Sequence, residues 1–221
     1  MASNQRYANV GDLPGTLAVF PLEGALILPR SQLPLNIFEP RYLAMIDDAL
    51  KSHRLVGMIQ PDERAQRSLA QQPLQKVGCA GRITQIAESG DGRYLLTLTG
   101  VARFRVVEEL AVVTPYRQCR VDFESFSNDL VDPSEEDDVD RSSVMRTLRQ
   151  FAQTNRLKLD WSEIDKAPNE ALVNALAMMS PFGPREKQAL LEAADLKARA
   201  EVLVAITEIE LARGGGPSPL Q

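Results

Sequence analysis

Apolar positions alternate with polar ones in the first half of the chain and recur at helical spacing in the second. Leu17, Ala18, Val19 and Phe20 form a short apolar run. Leu33, Pro34, Leu35, Asn36, Ile37 and Phe38 form another. Pro34 has no N–H to give a neighbouring strand, which confines that run to a sheet edge or a bulge. Residues 55–59 are almost wholly apolar and predict a buried strand. A hairpin is predicted from 82–87 and 93–99 around Gly90, Asp91 and Gly92, whose glycines tolerate the positive φ of a tight turn. Beyond that turn Tyr94, Leu96 and Leu98 share one face, and Leu95, Thr97 and Thr99 share the other. Arg103 and Arg105 alternate with Phe104 and Val106, and Cys119, Val121 and Phe123 share a face of 116–123. Closely spaced strands with short turns predict a small, partly closed barrel, which removes exposed edges. One helix interrupts this half, from Pro40 to about Lys51, with Leu43, Ile46 and Leu50 on one stripe.

The period changes after 133. Ser134, Glu135, Glu136 and Asp137 read as a capping box with an acidic first turn. Val144, Leu148, Phe151 and Asn155 then follow one helix face. A second helix begins near Pro168 and carries Leu172, Ala175, Leu176 and Met179. Pro181, Phe182, Gly183 and Pro184 end it and open a third, with Leu190, Leu191 and Ala194 apolar. The fourth runs from about Leu196 to Arg213 and stops at a Gly/Pro-rich end. The expected organisation is therefore α+β. A β domain spans 1–125, a linker 126–133, a helical bundle 134–213 and a disordered tail 214–221.

Composition narrows the function classes. The chain has 221 residues, 44% of them hydrophobic and 25% charged, with a net charge of −5. Through residue 125 there are 14 Lys/Arg and 13 Asp/Glu, leaving 11 and 17 beyond it. Neither half is the basic footprint of a phosphate-tracking protein, so nucleic acid is a disfavoured partner. No apolar run approaches membrane-spanning length, and the start lacks a signal-peptide core, so a cytoplasmic location is expected. Cys79 and Cys119, the two cysteines, read as buried thiols. His53, the single histidine, lies just past the first helix, where an exposed cation suits the dipole. No cofactor, metal or catalytic residue is expected.

Val19, Phe20, Pro21 and Leu22, followed by Leu33, Pro34, Leu35, Asn36, Ile37, Phe38, Glu39, Pro40, Arg41 and Tyr42, resemble the opening of the Lon protease N-terminal domain family. The match continues at Gly57, Met58 and Ile59, from Val77 through Ile83, and from Gly100 through Arg105. Residues 169–179 and 186–192 resemble the helical extension of bacterial single-domain members. The resemblance implies a PUA-like pseudo-barrel with one early helix, followed by a helical bundle. It also implies capture of unfolded or degron-bearing polypeptides. No Gly-Lys pair is present to build a phosphate-binding loop, and no room follows residue 213 for a Ser–Lys protease domain, so no hydrolysis is expected.

The residues assigned to polypeptide contact are Pro34, Phe38, Glu39, Arg41, Tyr42, Arg103, Met178 and Phe182. Several have a plainer alternative. Glu39 could be a helix-start carboxylate paired with Arg82 or Arg103, and Arg103 and Arg105 could be a solvent face paired with Glu108 or Asp122. Met178, Met179 and Phe182 could be core, and Trp161 a packing anchor. Two other functions stay open: RNA or nucleotide binding, and an adaptor docking on a protease. Oligomeric state is left open.

Overall fold

The computed structural model describes residues 7–62, 72–131 and 139–213. The chain divides into two compact units, Met1–Asp132 and Pro133–Gln221. The expected capping box at 134–137 and the tail at 214–221 lie outside the described residues.

The first unit is built on six strands, β1 (Thr16–Pro21), β2 (Gln32–Ile37), β3 (Leu55–Pro61), β4 (Leu74–Ser89), β5 (Arg93–Glu109) and β6 (Arg117–Asp122). Helix α1 (Pro40–Lys51) lies between β2 and β3. The sheet order is β2-β5-β4-β3-β1-β6, and a further β5–β6 pairing closes five of these strands into a barrel. The β1–β3 pair is parallel and the other pairs are antiparallel. The hairpin and the 103–106 run, read as separate pieces, are parts of two long strands. Their register slips between Ala80/Gly81 and between Ile83/Gln85. Such bulges bend a strand, which lets β5 serve two neighbours in succession. Its first half pairs with β2, its last residues with β6.

Leu17, Val19, Leu55, Ile59, Ala80, Ala102, Phe104, Cys119 and Val121 fill the barrel. Phe104 sets the packing. A Cβ at Gly78 would stand 2.5 Å from its ring and 2.6 Å from the Met58 carbonyl oxygen, so this wall admits only glycine.

The segment read as the start of a linker is structured. Glu124–Leu130 forms a 3-10 turn with Phe126 and Asp129 buried. Polar composition suggested a loop, but Asp129 is held by the barrel (below).

The second unit contains α2 (Arg141–Thr154), α3 (Trp161–Lys166), α4 (Asn169–Met179), α5 (Pro184–Glu192) and α6 (Leu196–Ala212). Asp140, Asp160 and Asp195 cap α2, α3 and α6 by accepting from backbone N–H groups. The short α3 has no counterpart in the apolar periodicity. Arg141 holds its end, donating to the carbonyls of Ile164, Asp165 and Ala167 and to the Asn169 side chain. Buried Arg199 ties three helices by donating to the Leu190 carbonyl and Asn174 Oδ1.

Candidate functional site

β2 lies at the end of the sheet order and pairs with β5 alone among the described residues. Its residues stand in register with β5 and β4: Pro34 with Thr97 and Gln85, and Asn36 with Leu95 and Ala87. Alternation puts these six side chains on one face. They line a shallow groove of about 480 Å³ whose wall also includes Leu35, Ile86 and Leu96. Leu95 is 51% exposed, and Phe38, one residue past β2, is 61% exposed. The Arg93 guanidinium stands 5.9 Å from the Phe38 ring centre. The groove lining bears no charged residue. What it offers is apolar surface, neutral hydrogen-bonding groups and the outer backbone edge of β2, features suited to an extended chain.

The residues assigned from sequence divide. Pro34 lines the groove, and Phe38 is exposed beyond the end of β2. Glu39 and Arg41 form an exposed ion pair at 2.8 Å, instead of pairing with Arg82 or Arg103. Glu39 is the N-cap of α1, yet its side chain caps no N–H because it turns to Arg41. Tyr42 is no surface contact. It is 6% exposed and packs on Phe20 with ring centres 4.2 Å apart, and burial raises its phenol pKa.

Arg103 is likewise corrected. It is 3% exposed and bonded to Asp129 through both Nε and a terminal nitrogen, at 2.9 and 2.8 Å. Its backbone N–H donates to the same carboxylate. The ring of Phe126 lies 4.4 Å from the Arg103 guanidinium and 5.4 Å from that of Arg105. The 3-10 turn covers what the alternation marked as solvent face. Arg30, held at φ 62°, adds a bond from its guanidinium to the Asp129 carbonyl at 2.6 Å. In the second unit Phe182 is buried core, Met178 is half-buried and Met179 is exposed.

His53 is also corrected. It is half-buried, its Nδ1 accepts the Leu55 N–H at 3.1 Å, and burial lowers its pKa, which favours the neutral ring. Asp47 and Asp48 point apart, as their adjacency on a helix requires. Asp47 accepts from Tyr94 Oη and Asp48 from Tyr116 Oη, each at 2.8 Å, so both carboxylates anchor α1. Cys79 and Cys119 are buried thiols, neither in a disulfide, and burial pushes Cys119 up to about 11. Among the described residues no cluster of His, Cys, Asp or Glu is placed to hold a metal ion. Nor is any helix there long and apolar enough to cross a membrane.

Gln85, Ile86, Ala87, Leu95 and Thr97 were not assigned to the site from sequence. Their signal was present: Leu95 breaks an otherwise polar outward face, and it is paired to an edge strand already marked by Pro34.

An α+β chain with this barrel, edge strand and helical extension matches a known class. Residues 16–208 match the model of the ATP-dependent protease La (LON) substrate-binding domain, and the chain belongs to that family. It is 28% identical over 205 residues to Lon protease 2 of Myxococcus xanthus, covering 89% of this chain and 24% of that protein. With the Lon protease of Anaeromyxobacter dehalogenans it shares 26% identity, covering 89% and 23%. The chain thus spans about a quarter of the length of the curated relatives it matches. Among solved structures, the fold is similar to the Lon N-terminal domain protein from Xanthomonas campestris (TM-score 0.60, 21% identity, covering 86% of this chain and 97% of that one). It is also similar to the N-terminal domain of Mycobacterium avium complex Lon protease (TM-score 0.62, 18% identity, covering 87% and 98%).

Proposed function

We propose that this chain is a non-catalytic module that captures unfolded or degron-bearing polypeptide, serving as an adaptor or regulator in protein quality control. The observation that carries this reading is the uncharged, apolar groove beside the edge of β2, which among the described residues pairs with no further strand. An unfolded segment exposes apolar side chains and unsatisfied backbone groups together, and this surface can engage both. The family supports the reading, since the matched model is a substrate-binding domain and not an ATPase or protease domain.

The test is fluorescence anisotropy of a labelled, permanently unfolded protein titrated with the purified chain. Phe38→Asp and Leu95→Glu alter exposed side chains, so folding should survive. Burying one such side chain contributes roughly 1.5–3 kcal/mol, and every 1.4 kcal/mol is a factor of about ten in affinity. The double variant should therefore bind at least about tenfold more weakly. Equal binding by wild type and double variant would remove the groove from the proposal, and no binding by either would end it.

A further inference from the structure

The helical unit carries a second groove, of different chemistry. It runs between the N-terminal half of α2 and the outward stripe of α6 and offers about 480 Å³, open to solvent. Val139, Val144, Val204 and Ala205 supply apolar lining. Glu201 and Glu208, seven residues apart on α6, flank it, and Asp140 stands at the start of α2. Lys197 lines it too, which leaves three carboxylates against one ammonium. Among the described residues neither Glu201 nor Glu208 is held in a hydrogen bond or an ion pair. Seven residues of helix place their Cα atoms about 10 Å apart.

A small adjoining cavity of about 20 Å³ shares Val144 and Val204 with the groove. Thr147 lines it. This side chain is 3% exposed, and its Oγ1 has no hydrogen-bond partner. A buried hydroxyl left in this state is costly.

We infer that this α2/α6 groove binds a basic amphipathic polypeptide segment, its apolar face laid on the valines and its Lys or Arg side chains reaching Glu201 and Glu208. This deepens the polypeptide-capture reading and rests on it, adding a second contact surface with a charge preference. The groove's own sign selects the occupant. A second copy of this chain would bring the same acidic stripe, and nucleic acid or an anionic lipid surface would be repelled. Attraction between flanking charges also implies binding that weakens with salt.

The test uses the whole chain and two probes. One is a fluorescein-labelled helical peptide of about five turns, with leucine on one face and lysines seven residues apart beside it. The other is the permanently unfolded protein, chosen uncharged overall. Glu201→Lys/Glu208→Lys reverses two exposed charges in the groove, and Glu163→Lys/Asp165→Lys makes the same charge change on α3. The first variant should weaken the lysine peptide about tenfold or more, the second about twofold at most, and a glutamate version of the peptide should not bind. Equal weakening by both variants, or no binding of the lysine peptide, overturns the inference. If the unfolded protein still binds in that case, capture at the β2 groove stands alone; if neither probe binds, both readings fall.

Discussion

Replacing Asp129 with alanine should destabilise the strand unit more than any surface change. In the native protein its carboxylate accepts from the backbone N–H, Nε and a terminal nitrogen of Arg103, at 2.8 to 2.9 Å. Both side chains are more than nine-tenths buried. Alanine removes the buried carboxylate that accepts three N–H groups of Arg103, a loss of about 3–5 kcal/mol. A domain of this size is stable by roughly 5–15 kcal/mol, so the change is large but survivable. With a urea slope of about 2 kcal/mol/M, the unfolding midpoint should fall by about 1.5–2.5 M. Hydrogen exchange of β4 and β5 peptides across a urea series reports this unit alone. Arg103→Met/Asp129→Leu, which removes both charges and keeps the volume, should recover most of the loss. A midpoint shift below about 0.5 M for Asp129→Ala, or a double variant as unstable as the single, would refute the strapping role of this pair.

Four smaller expectations follow from single sites. Burial holds His53 below its usual 6.5, so its contribution to stability is present above that value and lost as pH falls through the folded pKa. The melting temperature of His53→Gln should fall less than that of wild type on acidification, and a steeper fall would contradict the assignment. Tyr116 is raised to about 12, first by burial and then by its bond to Asp48. Its phenolate absorbance, taken as the difference from Tyr116→Phe, should appear near that pH and not near 10. A Cβ at Gly100 would stand 2.0 Å from the Leu28 carbonyl oxygen, so Gly100→Ala should cost about 3 kcal/mol or more in urea unfolding; a neutral result would mean that the Leu28 loop yields. Thr147→Val removes a buried unsatisfied hydroxyl at equal volume and should stabilise the helical unit by about 1 kcal/mol, read from Trp161 fluorescence in urea; a loss of that size would show the hydroxyl to be satisfied.

The local elements were legible because their signals are local. Pro34 marked an edge strand, Pro40 a helix start, and Gly92, at φ 81°, a hairpin turn. The helix read at 172–179 is α4, but of its stripe Ala175 and Met179 are exposed, and Val173 and Ala177 are buried with Leu172 instead. Distance along the chain hid the rest. Arg103 finds its partner 26 residues later, in a turn whose Ser, Asn and Asp content reads as linker. The nearer candidates Glu108 and Asp122 do not take it: Glu108 pairs with Arg120, and Asp122 stands opposite Arg105. Helix α3 is too short for periodicity to register. Tyr42 was assigned to polypeptide contact with the rest of its motif, yet its ring packs on Phe20. All of the groove lining but Pro34 was missed because its face is set by register between β2, β5 and β4, which no single strand reveals.

Hydrogen exchange of the whole chain with and without a permanently unfolded protein tests polypeptide capture most directly. Slowed exchange is expected in β2 (Gln32–Ile37), whose outer backbone groups would gain partners, and in the β4 and β5 segments that line the groove with it. Unchanged exchange across these segments, under conditions where the polypeptide is bound, would contradict the claim that this edge is where it is held.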